Sequence, residues 1–413
     1  MADSLLSGFR ALDLTDEKGF ACGKILSALG VETIKVEKPG GDPARAIPPF
    51  LHDEPGPEKS LHWSAFNTDK RSITLNLETP QGQDLFRKLV EKADFVLESF
   101  TPGYLDSLGL GYEALAKVNP RIIVASITPF GQKGPYAQYK GSELIASAMS
   151  GVLEITGDAD RPPVIEAPPS IYFQAGAAAA CGAVISHYYR EITGEGQQVD
   201  VSLTEVATSR YTRMLMYWEF DKRLQKRSGP MSQFGVRPWR IIWPCKDGYV
   251  FWILNGGPLG APANRALSQW IEEDGVENPL KQMANWEEFD MATMTQETSD
   301  TFAEAIGKLF LRHTKEEIAE EGLKRGIRAT LVSNPADVLK NPQLSARDYW
   351  VDLYYPELGI TLTHPKHFFL CSETENYARH RAPRIGEDND QIYGKELGLS
   401  SSEMVALKEA NII

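Results

Sequence analysis

Residues 10–37 read RALDLTDEKGFACGKILSALGVETIKVE, and this stretch decides the fold class. Apolar and β-branched runs at 10–15 and 32–37 predict two strands, and the apolar spacing across 20–29 predicts a helix between them. Two strands joined through one helix run parallel, with a right-handed crossover. The stretch therefore predicts a βαβ unit.

The alternation of strand and helix patterns continues downstream. Further strands are predicted at 72–77, 95–100 and 121–128, with helices at 80–91 and 112–118. Repeated units of this kind indicate an α/β fold with a Rossmann-like parallel sheet. Such a sheet binds ligands where its strands end, here in the loops that begin at Thr15, Glu37, Phe100 and Thr128. None of these loops carries the GxGxxG pattern of dinucleotide-binding proteins.

Composition narrows the class of protein. A chain of 413 residues favours two domains, and the basic stretch at 222–240, rich in Pro and Gly, suggests a boundary. The net charge of −13 argues against a general nucleic-acid surface. The longest apolar run, at 175–185, is shorter than a membrane span, and the N-terminus has no signal-peptide pattern. We expect a soluble cytoplasmic protein.

A small-residue helix and a group of basic residues each fit either a structural or a ligand-binding role. Residues 174–190, QAGAAAACGAVISHYYR, predict a helix whose small side chains admit a close neighbour, either another element of the fold or a ligand. Lys70 and Arg71, just ahead of a predicted strand, and Lys38 and Arg45, after another, are either phosphate-binding groups or solvated surface charges.

No metal site is predicted. His364, His367 and Cys371 lie close together in sequence, but in a strand the odd spacing of the two histidines places them on opposite faces. The HExxH, P-loop and GxSxG patterns are also absent from the sequence.

Several segments together resemble the class III CoA-transferase family, the formyl-CoA and carnitine CoA-transferase type. The segments are VETIKVEKPGGDPAR, FNTDKRSITLNL, ESFTPG, GQKGPY, AMSG and REITGEGQQVDVSLTEVA. The resemblance implies a large Rossmann-like domain at 1–225, a smaller α/β domain at 226–335 and a C-terminal segment, 336–413, that returns to the large domain. It also implies that two chains thread through each other as an interlocked dimer.

In that family an aspartate attacks the acyl-CoA thioester and then carries CoA as an aspartyl thioester. The aspartate precedes by four residues the glycine that opens the small-residue helix. Here that glycine is Gly176, and Tyr172 stands at the aspartate position. A phenol cannot become an acyl donor to CoA, so no catalytic residue is expected on this chain. Glu166, Asp160 or Glu143 could replace it only through a shift of the loop.

The resemblance also suggests which residues would contact CoA. The candidates are Thr15, Lys38, Lys70, Arg71, Ser99, Phe100, Lys133 and Tyr136. Where relatives often have ENFRPG, this chain has Ser99 and Thr101 in place of the asparagine and arginine that help to hold CoA, so we expect weaker CoA binding. The GHD motif of the family's racemases is replaced by Gly141, Ser142 and Glu143.

A chain that keeps these motifs without the nucleophile implies one subunit of a heteromeric CoA-transferase, with a paralogous partner that carries the aspartate. The implied reaction moves CoA from succinyl-CoA to a dicarboxylic acid such as (R)-benzylsuccinate, in anaerobic toluene degradation. CoA thioesters are then substrates, with no permanently bound cofactor and no nucleic-acid or membrane partner. The alternatives are a homomeric transferase that uses another carboxylate, a CoA-binding regulatory protein without turnover, and a racemase or isomerase.

Overall fold

The computed structural model describes residues 4–167, 169–232, 238–375 and 377–413. The chain divides into two compact units: Met1–Leu153, Ile165–Thr212 and Gln343–Ile413 form the first, and Glu154–Val164 and Arg213–Pro342 form the second. We expected the chain to change domain after residues 225 and 335; it changes unit after Thr212 and Pro342. The basic stretch at 222–240 therefore belongs to the second unit.

The elements are numbered in chain order. The strands are β1 (Arg10–Asp13), β2 (Glu32–Glu37), β3 (Lys70–Thr74), β4 (Phe95–Glu98), β5 (Ile123–Thr128), β6 (Gln198–Ser202), β7 (Ile242–Cys245), β8 (Gly248–Phe251), β9 (Thr330–Leu331), β10 (Trp350–Tyr355) and β11 (Ile360–Pro365). The helices are α1 (Phe20–Ala28), α2 (Leu61–Phe66), α3 (Pro80–Val90), α4 (Tyr104–Ser107), α5 (Tyr112–Val118), α6 (Glu143–Met149), α7 (Ser170–Thr193), α8 (Leu203–Arg210), α9 (Thr212–Asp221), α10 (Gly257–Glu273), α11 (Gln296–Phe310), α12 (Lys315–Arg325), α13 (Pro335–Leu339), α14 (Pro342–Ala346) and α15 (Ser401–Glu409).

The first unit is built on a six-stranded sheet in the order β3-β2-β1-β4-β5-β6, and every pair of neighbouring strands is parallel. Helices cover both faces, and a separate apolar cluster fills each side. The predicted α/β fold with a Rossmann-like sheet is confirmed. Among the described residues, none of the helices has the length and apolar character to cross a membrane.

The small-residue helix α7 packs against α1. A Cβ atom built on Gly176 would lie 2.6 Å from the Cβ of Ala21 and 2.7 Å from the backbone nitrogen of Cys22. Ala175, Ala179 and Ala183 are fully buried on the same helix. The interpretation that another element of the fold approaches this helix closely is confirmed.

The C-terminal segment docks on the edge of the sheet at β3. The Arg71 guanidinium contacts Asp388 at 2.9 Å and Glu396 at 3.1 Å, and the Tyr393 hydroxyl donates to the carbonyl of Thr74 at 2.8 Å. The N–H of Asn76 donates to the carbonyl of Ile412 at 2.7 Å. Residues that follow the second unit in sequence thus complete the first.

The second unit has a small antiparallel sheet in the order β7-β8-β9, together with helices α10 to α13. Its core is aromatic: the ring of Trp243 lies 6.0 Å from that of Trp252 and 5.9 Å from that of Phe310, measured between centroids.

Candidate active site

A cavity of about 240 Å³ opens at the carboxyl ends of β1 to β4. Its lining residues are Leu14, Asp16, Val36, Glu37, Lys38, Asp42, Pro43, Leu75, Leu77, Glu78, Ser99, Phe100 and Tyr104. The rings of Phe100 and Tyr104 lie 4.8 Å apart along one wall. This is the sheet edge where ligands are expected, and it brings together three of the selected residues: Lys38, Ser99 and Phe100.

Lys38 is the one basic side chain in the lining, and it is already paired. Its Nζ lies 3.2 Å from Oε1 of Glu78, and the Tyr104 hydroxyl donates to the same oxygen at 3.3 Å. The Lys38 and Glu78 side chains are 63% and 58% exposed, so the pair lies in contact with solvent. Sequence analysis missed Glu78, although a charged residue directly after a strand motif at the ligand edge was a usable signal.

Ser99 joins the ends of β4 and β1 through Asp16. Its hydroxyl donates to Oδ1 of Asp16 at 2.8 Å and accepts from the Asp16 N–H at 2.8 Å. The Lys18 side chain binds the same carboxylate. The serine at the asparagine position of the family is therefore engaged within the chain.

Lys70 and Arg71 do not lie in a loop ahead of the strand, as the sequence suggested; that placement is wrong. Both belong to β3, because backbone pairing with β2 begins at Thr33 and Lys70. Lys70 is buried and donates to Asp13 at 2.7 Å. Burial alone would raise the pKa of Asp13, but the Lys70 ammonium holds it below its usual range. Arg71 holds the C-terminal segment, so these contacts do not support a role for either residue in CoA binding.

The other candidates are scattered. Thr15 is fully buried, and its hydroxyl donates to Asp13 at 2.6 Å. Lys133 and Tyr136 lie in the loop after β5, where both are exposed. The Tyr136 ring contacts Phe130 and Tyr139, with centroids 6.1 and 5.2 Å away. None of the three lines the cavity at the ends of β1 to β4.

Tyr172 lies in the first turn of α7, which begins at Ser170, and it is buried, with only 7% of its surface exposed. Its hydroxyl oxygen accepts a hydrogen bond of 3.0 Å from the backbone N–H of Glu143, the first residue of α6. Burial raises the pKa of Tyr172 to about 12, with smaller contributions from the Glu17 and Asp16 carboxylates. The side chain is therefore a neutral phenol at physiological pH.

Glu143 returns the contact. Its carboxylate accepts from the backbone N–H of Ile171 at 2.5 Å, at the start of α7. The side chain is buried, and burial raises the pKa of Glu143 even though the backbone donors oppose this shift. Tyr172 and Glu143 thus form a reciprocal pair, in which each side chain binds the backbone at the start of the other's helix.

Glu166 is also engaged. Its carboxylate accepts from the Arg210 guanidinium at 3.0 Å and from the Tyr211 hydroxyl at 2.8 Å. Burial alone would raise its pKa, but these two partners hold the pKa of Glu166 below its usual range. Asp160 lies in the second unit. Glu143 and Glu166, the two candidates in the first unit, are therefore both engaged with other partners.

One buried acid was overlooked in the sequence. Glu98, the last residue of β4, borders a smaller cavity of about 120 Å³ with Ser126, Gln132 and Gln198. Burial raises the pKa of Glu98 to about 7, although the Ser126 hydroxyl and the Phe100 N–H donate to its carboxyl group. Its place at the end of a strand, inside the ESFTPG motif, was the available signal.

Comparison with known proteins gives one family. The model of CoA-transferase family III matches residues 6–389. Subunit BbsE of succinyl-CoA:(R)-benzylsuccinate CoA-transferase from Thauera aromatica is 35% identical over 94% of this chain and 93% of its own. Succinyl-CoA--D-citramalate CoA-transferase from Chloroflexus aurantiacus is 30% identical over 95% and 94%, and formyl-CoA:oxalate CoA-transferase from Streptomyces coelicolor is 28% identical over both full lengths.

Solved structures agree on the fold. A CaiB/BaiF family protein from Brucella suis superposes with a TM-score of 0.81 at 26% identity, covering 95% of this chain and 99% of that one. Rv3272 from Mycobacterium tuberculosis superposes with a TM-score of 0.75 at 24% identity, covering 94% and 99%.

Proposed function

Because the chain belongs to CoA-transferase family III, we propose that it is the subunit without a nucleophile in a heteromeric transferase. A paralogous subunit would supply the aspartate. The reaction we propose for the complex moves CoA from succinyl-CoA to a dicarboxylic acid such as (R)-benzylsuccinate, in anaerobic toluene degradation.

The observation that carries this proposal is the state of Tyr172. Class III transfer needs a group that attacks as an anion and then serves as an acyl carrier, which a carboxylate does and a phenol does not. Tyr172 is a buried neutral phenol whose oxygen already accepts the Glu143 N–H. The position expected for the nucleophile therefore holds a group that fits a structural role.

The homomeric alternative requires Glu143 or Glu166 to take over the attack. Each would first have to give up its present partners, the Ile171 N–H for Glu143 and the Arg210 and Tyr211 side chains for Glu166. Leaving the buried Ile171 N–H unpaired costs about 1–3 kcal/mol, and for either glutamate a misplacement of about 1 Å can lower the rate 100-fold. We therefore place the nucleophile on a partner chain.

The names of the relatives support a heteromer and a dicarboxylic acceptor. One relative is a subunit of succinyl-CoA:(R)-benzylsuccinate CoA-transferase, and another is the beta subunit of succinyl-CoA--L-malate CoA-transferase from Chloroflexus aurantiacus, 25% identical over 99% of this chain and 98% of its own. Relatives named for other acceptors, such as oxalate, are also similar. The identity of the acceptor acid is therefore part of the proposal and needs the test below.

The test is to express this chain alone and together with a paralogous subunit, and to assay transfer from succinyl-CoA to (R)-benzylsuccinate, citramalate and malate. We expect activity only from the complex. Hydroxylamine attacks the aspartyl thioester and releases CoA, so mass spectrometry should find a hydroxamate on the partner's aspartate. A hydroxamate on Glu143 or Glu166 of this chain would refute the proposal and favour the homomeric alternative.

A further inference from the structure

We propose that Glu78 is a specificity-determining residue that closes the cavity at the ends of β1 to β4 to CoA and to other polyanionic nucleotides. This inference deepens the proposed function and rests on it, since a chain without a nucleophile has no need to hold the thioester. The walls of the cavity are apolar enough for an aromatic ring, so the discrimination would act on the phosphates.

The charges at the cavity favour exclusion of anions. Four carboxylates belong to the lining, those of Asp16, Glu37, Asp42 and Glu78, against the single ammonium group of Lys38. Phosphate groups are held in proteins by cationic donors, and like charges brought together oppose binding. Each of the four carboxylates also has a cationic partner, so a nucleotide that enters this cavity would meet four anionic groups and cations that are already engaged.

The cations next to the cavity are committed to these carboxylates. Lys35 is buried and lies 3.2 Å from Asp42, and Arg45 binds Glu37 at 2.7 Å. Both side chains are almost fully buried, at 1% and 2% exposure, so neither can turn towards a ligand. Lys18 binds Asp16 and is 17% exposed, which leaves Lys38, at 63% exposure, as the most accessible cation for a phosphate.

Glu78 forms an ion pair with Lys38 and so limits its contact with a phosphate. It holds Lys38 at 3.2 Å, and it also adds its own negative charge at the exposed side of the cavity. The other three carboxylates bind backbone or buried partners that shape the fold, as when Asp42 accepts the N–H of Ala44. Replacing Glu78 would release Lys38 and remove one charge without disturbing the sheet.

The experiment uses the full chain, in complex with its paralogous subunit where one co-purifies. A CoA analogue with a photoreactive azide on its adenine is cross-linked, and labelled peptides of this chain that contain residues 75–78 or 99–104 are quantified by mass spectrometry. Because the readout identifies the chain, binding to the partner does not interfere. We expect Glu78→Gln to lower the half-saturating concentration for these peptides about tenfold or more.

The matched control is Glu91→Gln, which removes the same charge from an exposed residue at the end of α3. We expect it to leave the labelling unchanged. Raising the salt concentration should narrow the gap between the wild-type chain and Glu78→Gln, because screening weakens the repulsion. Equal half-saturation of the wild-type chain and Glu78→Gln would overturn the proposal, and so would a failure of Glu78→Gln to gain labelling.

The outcome is separable from that of the proposed function, since the labelling involves no acyl transfer. If the wild-type cavity binds the analogue while hydroxylamine gives a hydroxamate only on the partner, the inference about Glu78 fails and the proposed function stands. If a hydroxamate forms on a carboxylate of this chain, the proposed function fails whatever the labelling shows.

Discussion

The Tyr172 hydroxyl accepts a hydrogen bond that supports the fold. Removing this one oxygen atom tests whether it contributes to stability or to catalysis. Tyr172→Phe leaves the buried Glu143 N–H without an acceptor, so we expect a loss of about 1–3 kcal/mol in the free energy of unfolding. Urea unfolding measures it, and Tyr354→Phe, at a tyrosine that is 60% exposed, is the control. The transfer rate of the complex should not change; a large fall in rate without a loss of stability would contradict the assigned role.

Glu98 predicts a pH dependence of stability. Its pKa is raised by burial from 4.5 to about 7, so between these values the folded chain binds a proton that the unfolded chain releases. The free energy of unfolding should therefore decrease as the pH rises from about 4.5 to 7, by an amount on the order of 3 kcal/mol. Glu98→Gln should flatten this part of the pH profile, measured by urea unfolding, while Glu195→Gln at an exposed position should not. Parallel profiles for the wild type and Glu98→Gln would show that Glu98 does not titrate in this range.

The sequence was enough to select residues that matter at the site, but it did not predict which other residues they contact. The spacing to Gly176 was enough to select Tyr172, since it depends only on counting along the chain. The reciprocal contact with Glu143 depends on two helices whose starts meet in space, which no local pattern encodes. For Lys70 the sequence suggested a partner that the structure does not give it. A lysine beside a predicted strand suggested phosphate binding, but the Lys70 ammonium forms a buried ion pair with Asp13.

Helices α1 and α7 pack closely at Gly176, where there is no room for a Cβ atom. Gly176→Ala would place a methyl group 2.6 Å from Ala21, and overpacking of this kind costs about 1–3 kcal/mol. The control is Gly307→Ala in α11, where a Cβ would meet nothing within 4 Å and the helix should gain about 0.5–1 kcal/mol. Scanning calorimetry should give melting temperatures that shift in opposite directions. A neutral result at Gly176 would mean that the two helices can separate without cost.

The docking of the C-terminal segment onto β3 gives a second prediction for the elements. Arg71→Gln loses the ion pairs with Asp388, Glu32 and Glu396, so we expect faster amide hydrogen exchange across residues 386–399. The stability cost should be modest, about 1 kcal/mol, because the arginine is 23% exposed. Arg161→Gln, at a side chain that is 74% exposed, is the control. Unchanged exchange in this segment would show that backbone contacts alone hold it.

The periodicity of the sequence predicted which segments form helices or strands more accurately than it predicted where each element begins and ends. Helix α5 was predicted with the bounds that the structure has, and the predicted strand at 32–37 coincides with β2. Strand β3 begins two residues before its predicted start because pairing with β2, and not the apolar pattern, sets its first residue. Helix α7 is longer at both ends than its small-residue pattern indicated.

For the whole molecule, an exposed apolar face on α7 supports assembly with another chain. Ile185, Tyr188 and Ile192 are 63%, 71% and 69% exposed and lie three and four residues apart, on one side of the helix. We expect the chain alone to aggregate and to form a discrete complex with its paralogous subunit. Tyr188→Lys combined with Ile192→Lys should weaken that complex in light-scattering chromatography, while Leu259→Lys, at a leucine that is 93% exposed, should not. A stable monomer of the chain alone at micromolar concentration would count against a heteromer.

The reciprocal pair of Tyr172 and Glu143 also bears on the history of the lineage. Restoring an aspartate at position 172 in one step would remove the ring, shift the acceptor of the Glu143 N–H and bring a new negative charge towards Glu143 and Glu17. On the proposed function, the first step back would therefore pass through a less stable protein that still lacks activity. On the proposed function, the pair would therefore make the loss of the nucleophile, once accommodated by Glu143, harder to reverse than it was to acquire.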